Sequence, residues 1–220
     1  MISMNYLRQK NSAQEGFTII ELVIATGVFS VVLLIATVAI ILVTNSYVKG
    51  NVQAETQDTA RGILTTVSQD IQFNTANSVN LGTYVSASNI GYFCLGNDLY
   101  VYQLGDEIGG VNSDGTKVYH ALLEFSGTGK CPANVTDEGY LGAPQSGDNI
   151  AHELLAQNMS LETFNIAQVT GTKAYSIKLT VAYGSNVKSS GGVFTCPPES
   201  FGGQFCAVSS LTTAVTPRIQ

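Results

Sequence analysis

Glu21 is the only charged side chain between Glu15 and Lys49, and it lies in a run, Phe17–Val43, apolar enough to sit in lipid. A carboxylate at the centre of a membrane helix costs about 2.5–3.5 kcal/mol, so one that persists there usually has a cationic partner or a task. The plainer alternative is a carboxylate that reaches the interface from near the helix end. Four cysteines, Cys94, Cys131, Cys196 and Cys206, could form two disulfides, ligate zinc or remain as thiols. Their spacings contain no C-x₂₋₄-C pair, the usual zinc arrangement. Cys196 and Cys206 bracket the irregular loop "PPESFGGQF", and a bridge there would stabilise by roughly 2–3 kcal/mol. Cys94–Cys131 would be the second pair.

Other reactive residue types are sparse. His120 and His152 are the only histidines, and neither stands in a metal or triad spacing. Asp106, Glu107, Asn112 and Asp114 fall in "GDEIGGVNSDGTK" and could offer oxygens to calcium, but they do not follow the EF-hand pattern, and a solvated turn is the simpler reading. Lys173, Lys178 and Lys188 form a loose cluster of the kind found on an ordinary wet face. No nucleophile elbow, P-loop, zincin helix or dinucleotide fingerprint occurs. The expectation is a chain with no catalytic residue, no cofactor and no metal site.

The elements that would position these groups divide sharply. Phe17–Val43 is 27 residues, roughly 40 Å as a helix against about 30 Å of hydrocarbon. Upstream, "MISMNYLRQKNSAQEG" carries Arg8 and Lys10, which places the N-terminus in the cytoplasm and the rest outside. An ordinary secretory signal would have a shorter apolar region and a small-residue cleavage site beyond it, and "TNSYVKGN" offers none.

The junction before the apolar run is distinctive. Gly16, Phe17, Thr18, Ile19, Ile20, Glu21, Leu22 and Val23, after a basic leader, resemble the prepilin motif of type IV pilins and type II secretion pseudopilins. The resemblance implies cleavage after Gly16 by a membrane-embedded prepilin peptidase, N-methylation of Phe17, and pairing of Glu21 with the N-terminal amine of a neighbouring subunit. It also implies an assembly platform and other pilin-like subunits as partners. Glu21 lies four residues from Phe17, about 6 Å along a helix, so a one-turn offset between subunits would bring amine and carboxylate level. Major pilins often carry a proline part-way down this helix. Val38 stands near that position and the run has no proline, which suits a minor pilin or pseudopilin.

Beyond Val43, Val48, Val52, Ala60, Ile63, Leu64, Val67 and Ile71 recur at helical spacing, opposite Gln53, Gln57, Asp58, Arg61 and Gln69. This predicts one helix over about 18–73, bent locally at Gly50 or Gly62. Strands are predicted at Leu99–Leu104 and Val118–Phe125, with His120 inside the second and His152 in a polar stretch. A hairpin is predicted from Thr163–Val169 and Ala174–Tyr183, and "CAVSSLTTAVT" adds a last strand. The expected class is α+β, a long N-terminal helix packed on a small antiparallel sheet. Its parts are a leader (1–16), a transmembrane or filament-core helix (17–43), an amphipathic extension (44–73) and an extracytoplasmic β-rich head (74–220). "AETQDTARGILTTVSQDIQ" and the late hairpin resemble minor pseudopilins of the J and W types.

Charge bears on partners. The chain carries a net charge of −6 with 12% charged residues, and 14 of its 16 acidic residues but only 8 of its 10 basic ones follow Thr44. Such a surface disfavours sequence-independent nucleic-acid binding, which needs clustered Lys and Arg. The functional expectation is a structural subunit of a type IV pilus-like filament, stored in the inner (plasma) membrane as a single-pass protein. The alternative is a membrane-anchored extracytoplasmic binding module that never polymerises. The first reading gives Gly16, Phe17 and Glu21 a use, and the second does not. An enzyme ranks third, for want of a convergent site.

Overall fold

The computed structural model describes residues 16–73, 79–82, 84–85, 89–111, 115, 117–127, 131, 151–184, 186–198 and 202–218. The chain divides into two compact units at Thr44/Asn45. One helix, α1 (Ile19–Phe73), runs through that boundary and is unbroken at Gly50 and Gly62, both exposed with open space around them.

In the first unit every residue from Gly16 to Thr44 is exposed. The hydroxyls there turn inward along the helix. Ser30, Thr37 and Thr44 each donate to the carbonyl four residues back, at 2.8–2.9 Å, and Thr26 donates to the Val23 carbonyl at 3.0 Å. The outer surface is thereby left almost wholly apolar.

In the second unit α1 buries Val52, Thr56, Ala60, Ile63, Leu64, Val67 and Ile71. Thr56 takes a place in the stripe because its hydroxyl is satisfied by the Val52 carbonyl at 2.7 Å, while Val48 is only half-buried. The larger antiparallel sheet consists of β1 (Val79–Asn80), β2 (Tyr84–Val85), β3 (Ile90–Leu95), β4 (Asp98–Gln103), β5 (Leu122–Phe125) and β6 (Ala151–Glu153). Its order is β1-β3-β4-β5-β6, and β2 also pairs with β3. A three-stranded sheet places β8 (Tyr175–Tyr183) between β7 (Met159–Gln168) and β11 (Ala207–Val215). A two-stranded ribbon joins β9 (Lys188–Ser190) to β10 (Val193–Thr195).

The larger sheet is buried on both faces, which explains why β3 has no hydrophobic alternation to reveal it. Phe93, Leu95, Tyr100, Tyr102 and Leu122 join the helix stripe and Ile177, Leu179 and Val181 of β8 in the main core. Ile90, Tyr92, Cys94, Leu99, Val101, Leu123 and Phe125 form a second cluster on the reverse face. Phe93 stacks on Tyr100 with centroids 4.6 Å apart and on Phe164 at 5.2 Å. Gly91, paired with Tyr102 across the sheet, leaves room for that ring, since a Cβ at 91 would collide with it.

Several expectations need correction. The strand predicted over Val118–Phe125 is confined to Leu122–Phe125. Val118 instead exchanges backbone hydrogen bonds with Gly109 and Gly110 at 2.9 and 3.0 Å, so His120 precedes the strand. His152, expected in a polar stretch, lies exposed in the short strand β6. The predicted hairpin is present, although β7 begins earlier, at Met159. There is more than one sheet, because the helix stripe is covered from two directions.

Candidate processing and assembly site

Thr18 precedes the first helical residue and Glu21 stands three positions later, the T-x-x-E spacing of a capping box. Glu21 Oε2 accepts from the Thr18 backbone N–H at 2.9 Å and from its hydroxyl at 2.8 Å. The Glu21 N–H donates back to Thr18 Oγ1 at 3.3 Å, and Leu22 N–H donates to the Thr18 carbonyl at 3.2 Å. The box answers donors that every helix start leaves open. It also holds the carboxylate against Thr18, the residue after Phe17. Phe17 is 86% exposed, and Gly16 has open space on its side-chain face.

This arrangement can do two things. It leaves Gly16 and Phe17 accessible immediately before a well-started helix, which suits proteolysis of the bond between them. It also holds an anionic group in the first turn of the helix, one turn along from Phe17. Thr18 was missed as a functional residue by the sequence reading, yet the T-x-x-E spacing was there to find it.

Residues 11–37 match the model of the prokaryotic N-terminal methylation motif. The chain carries the type IV pilin and pseudopilin signature. The signature supports a pilin-like or pseudopilin subunit, a structural class of protein, and implies assembly with other pilin subunits and a prepilin peptidase. Comparison with curated proteins and with solved structures gives no match. Gly16, Phe17 and Glu21 all lie within the methylation motif, and α1 is the described helix long and apolar enough to cross a membrane, with mean hydropathy 2.8 in its most apolar window. Motif and helix together suggest membrane anchoring.

The cysteines are paired as Cys94–Cys131 and Cys196–Cys206, with Cα separations of 5.8 and 5.6 Å. The first bridge sits at the second core cluster, on the face of the larger sheet away from α1. The second closes the loop that contains the 3-10 turn Gly203–Phe205, where Gly203 lies so close to Pro197 that no side chain would fit.

The remaining candidates do not converge. Asn112 and Asp114 lie outside the described residues. Asp106 accepts from the Gln103 side-chain amide, Glu162 accepts from the Ser160 hydroxyl at 2.7 Å, and burial raises the Glu107 pKa. Among the described residues no group of three or more His, Cys, Asp or Glu could hold a metal ion. Lys173, Lys178 and Lys188 are exposed.

Two polar devices serve the fold. Tyr100, on β4, donates its hydroxyl to Asp70 of α1. Burial raises the Asp70 pKa, opposed by that hydrogen bond, and Tyr100 is raised by burial and by its acidic partner. Glu153, at the end of β6, accepts from the backbone N–H groups of Ala121, Leu122 and Leu155 at 3.0–3.1 Å, and its Oε2 lies 3.4 Å from His120 Nδ1. His120 thus lies beside the carboxylate that clamps these N–H groups. Burial pushes Glu153 up to about 7 against the pull of these hydrogen bonds.

Proposed function

We propose that the chain is a minor pilin or pseudopilin, a subunit of a type IV pilus-like filament. Prepilin peptidase cuts after Gly16, and Phe17 becomes the methylated N-terminus. The mature subunit waits in the inner (plasma) membrane as a single-pass protein, its leader side cytoplasmic and residues 74–220 outside. An assembly platform then draws it into the filament. Glu21 pairs with the Phe17 amine of a neighbouring subunit.

The observation that carries this reading is the match of the methylation motif to a helix whose first 26 residues, to Thr44, bury nothing within their own chain. An all-round apolar helix needs lipid or other helices, and a filament core supplies the latter. A non-polymerising anchor would use the same apolar length but would have no need of a carboxylate in its first turn.

Mass spectrometry of the N-terminal peptide, from cells with active prepilin peptidase, tests the proposal. A mature start at Phe17 carrying one methyl group on the amine is expected. A chain that keeps residues 1–16 under those conditions would overturn it.

A further inference from the structure

The β7-β8-β11 sheet has two edges, and they differ in how they are defended. The β7 edge is bulged between Leu161 and Thr163 and carries Glu162 at the bulge. A loop lies along its start: Glu107 bridges to Ser160, Ile108 N–H donates to the Met159 carbonyl, and Gly105 N–H donates to the Leu161 carbonyl. Bulges, charges and covering loops are the usual ways of blocking strand addition.

The β11 edge has no bulge and no charged residue, and the β9–β10 ribbon comes near it, tied to its start by Cys196–Cys206. "AVSSLTTAV" contains no proline, glycine or charged residue, and all nine positions pair with β8 without a register shift. Among the described residues no other strand pairs with β11. The end strands of the larger sheet are two or three residues long. A long, regular, uncharged edge is a template for another chain.

A groove beside β11 adds chemistry to that template. It is lined by Arg61, Ser68, Gln72 and Phe73 of α1 together with Thr213 and Arg218. Arg218 is anchored there by its N–H, which donates to the Gln72 carbonyl at 2.9 Å. Phe73 is 62% exposed. Arg61 meets Asp58 only at 4.0 Å, with both side chains largely in water, an arrangement of little energetic worth. Two arginines thus line one groove on a chain whose net charge is −6.

The geometry points to strand addition at β11: an extended segment of a different filament subunit pairs along Ser209–Val215 and sets an Asp or Glu side chain against Arg61 and Arg218. A second copy of β11 fits less well. It brings no carboxylate, and an antiparallel pair of identical strands closes on a two-fold axis, whereas a filament must continue. That the partner is a filament subunit rests on the function proposed above, while the open edge and its arginines do not.

The test places a photo-crosslinking residue at Thr212 of the full-length chain, in cells that assemble filaments, with Asn165 on the β7 edge as control. Both positions are exposed. The Thr212 adduct should map to an extended, Asp- or Glu-bearing segment of another protein with the same N-terminal motif. The Asn165 yield should be at least tenfold lower. Arg61→Glu with Arg218→Glu should cut the Thr212 yield at least tenfold, and the corresponding double lysine variant should retain most of it. Recovery of both disulfides in each variant checks that the head has folded. Equal yields from the two edges, adducts only with a second copy, adducts with a protein lacking the motif, or no adduct in assembled filaments would each overturn the inference. Sheared-filament fractionation, run in parallel, reports the filament reading separately.

Discussion

The two halves of α1 share one helical backbone and solve opposite problems. From Ile19 to Thr44 nothing is buried, although the side chains are overwhelmingly apolar. From Asn45 to Phe73 the composition is mixed, yet Ile63, Val67 and Ile71 are almost completely buried. The second half finds its cover inside the chain, on strands that follow it. The first half has no such cover among the described residues and must find it in lipid or in neighbouring helices. A single helix therefore ends one job, folding a domain, and begins another, joining an assembly. The two jobs should fail separately.

The sharpest way to break that separation is Glu21→Ala. In the proposed filament the Phe17 amine would lose its counter-charge in an apolar surround, and removing one member of a buried pair typically costs 3–5 kcal/mol. Incorporation into sheared filaments should fall by about two orders of magnitude or more, while insertion, leader cleavage and head stability stay unchanged. Insertion should survive because deleting a charge makes an apolar segment easier to insert. Unchanged incorporation would remove any assembly role for Glu21. Glu21→Gln, which keeps part of the capping box, separates loss of the charge from loss of the cap.

Next in size is Ile71→Ala, which should destabilise the head by about 2–5 kcal/mol through a cavity under the sheets. Leu34→Ala, in the exposed half of α1, should leave head stability within about 0.5 kcal/mol of wild type. Denaturant melts of the full chain in detergent, followed by tyrosine fluorescence, measure both. A comparable loss from Leu34→Ala would mean that the two halves are not independent.

The smallest effect sharpens the comparison through pH. Burial lifts Glu153 to about 7, above its ordinary value of 4.5, so between those values the folded head holds a proton that the unfolded chain has released. The associated stability is fully present below about pH 4.5 and is lost as pH rises through 7. Its size is on the order of 3 kcal/mol at most. Burial also raises Asp70, Glu107 and Glu124, which act in the same direction. Head melting temperature should therefore fall from pH 5 to pH 7.5, and Glu153→Gln should flatten the slope. A slope unaltered by that substitution would show that Glu153 is not the titrating group.

How much of this was legible in the sequence depended on whether a signal was local. The helix could be read over its whole length because apolar continuity and then helical spacing are properties of neighbours in the chain. The β7–β8 hairpin was legible for the same reason, its turn and alternation lying within one short segment. β3 was not, because burial on both faces erases alternation and Gly91 reads as a strand breaker until Tyr102 is seen lying over it. The over-long strand at Val118 failed because strand-forming side chains say nothing about which backbone partner is near. Glu153 is the extreme case, a carboxylate whose role as a clamp depends on N–H groups more than 30 residues away. At the N-terminus Glu21 drew notice through its charge alone, whereas Thr18 needed the helix start to be located first.

The hydrogen bond from Arg218 to Gln72 has a mechanical consequence. It brings the chain that follows β11 back to the end of α1, so the strands depart from the helix and return to it at one place. In the proposed filament tension would travel from helix to helix, and strands that leave α1 and return to it at one place would carry none of it. Such a head can change its surface loops without changing what the filament can bear.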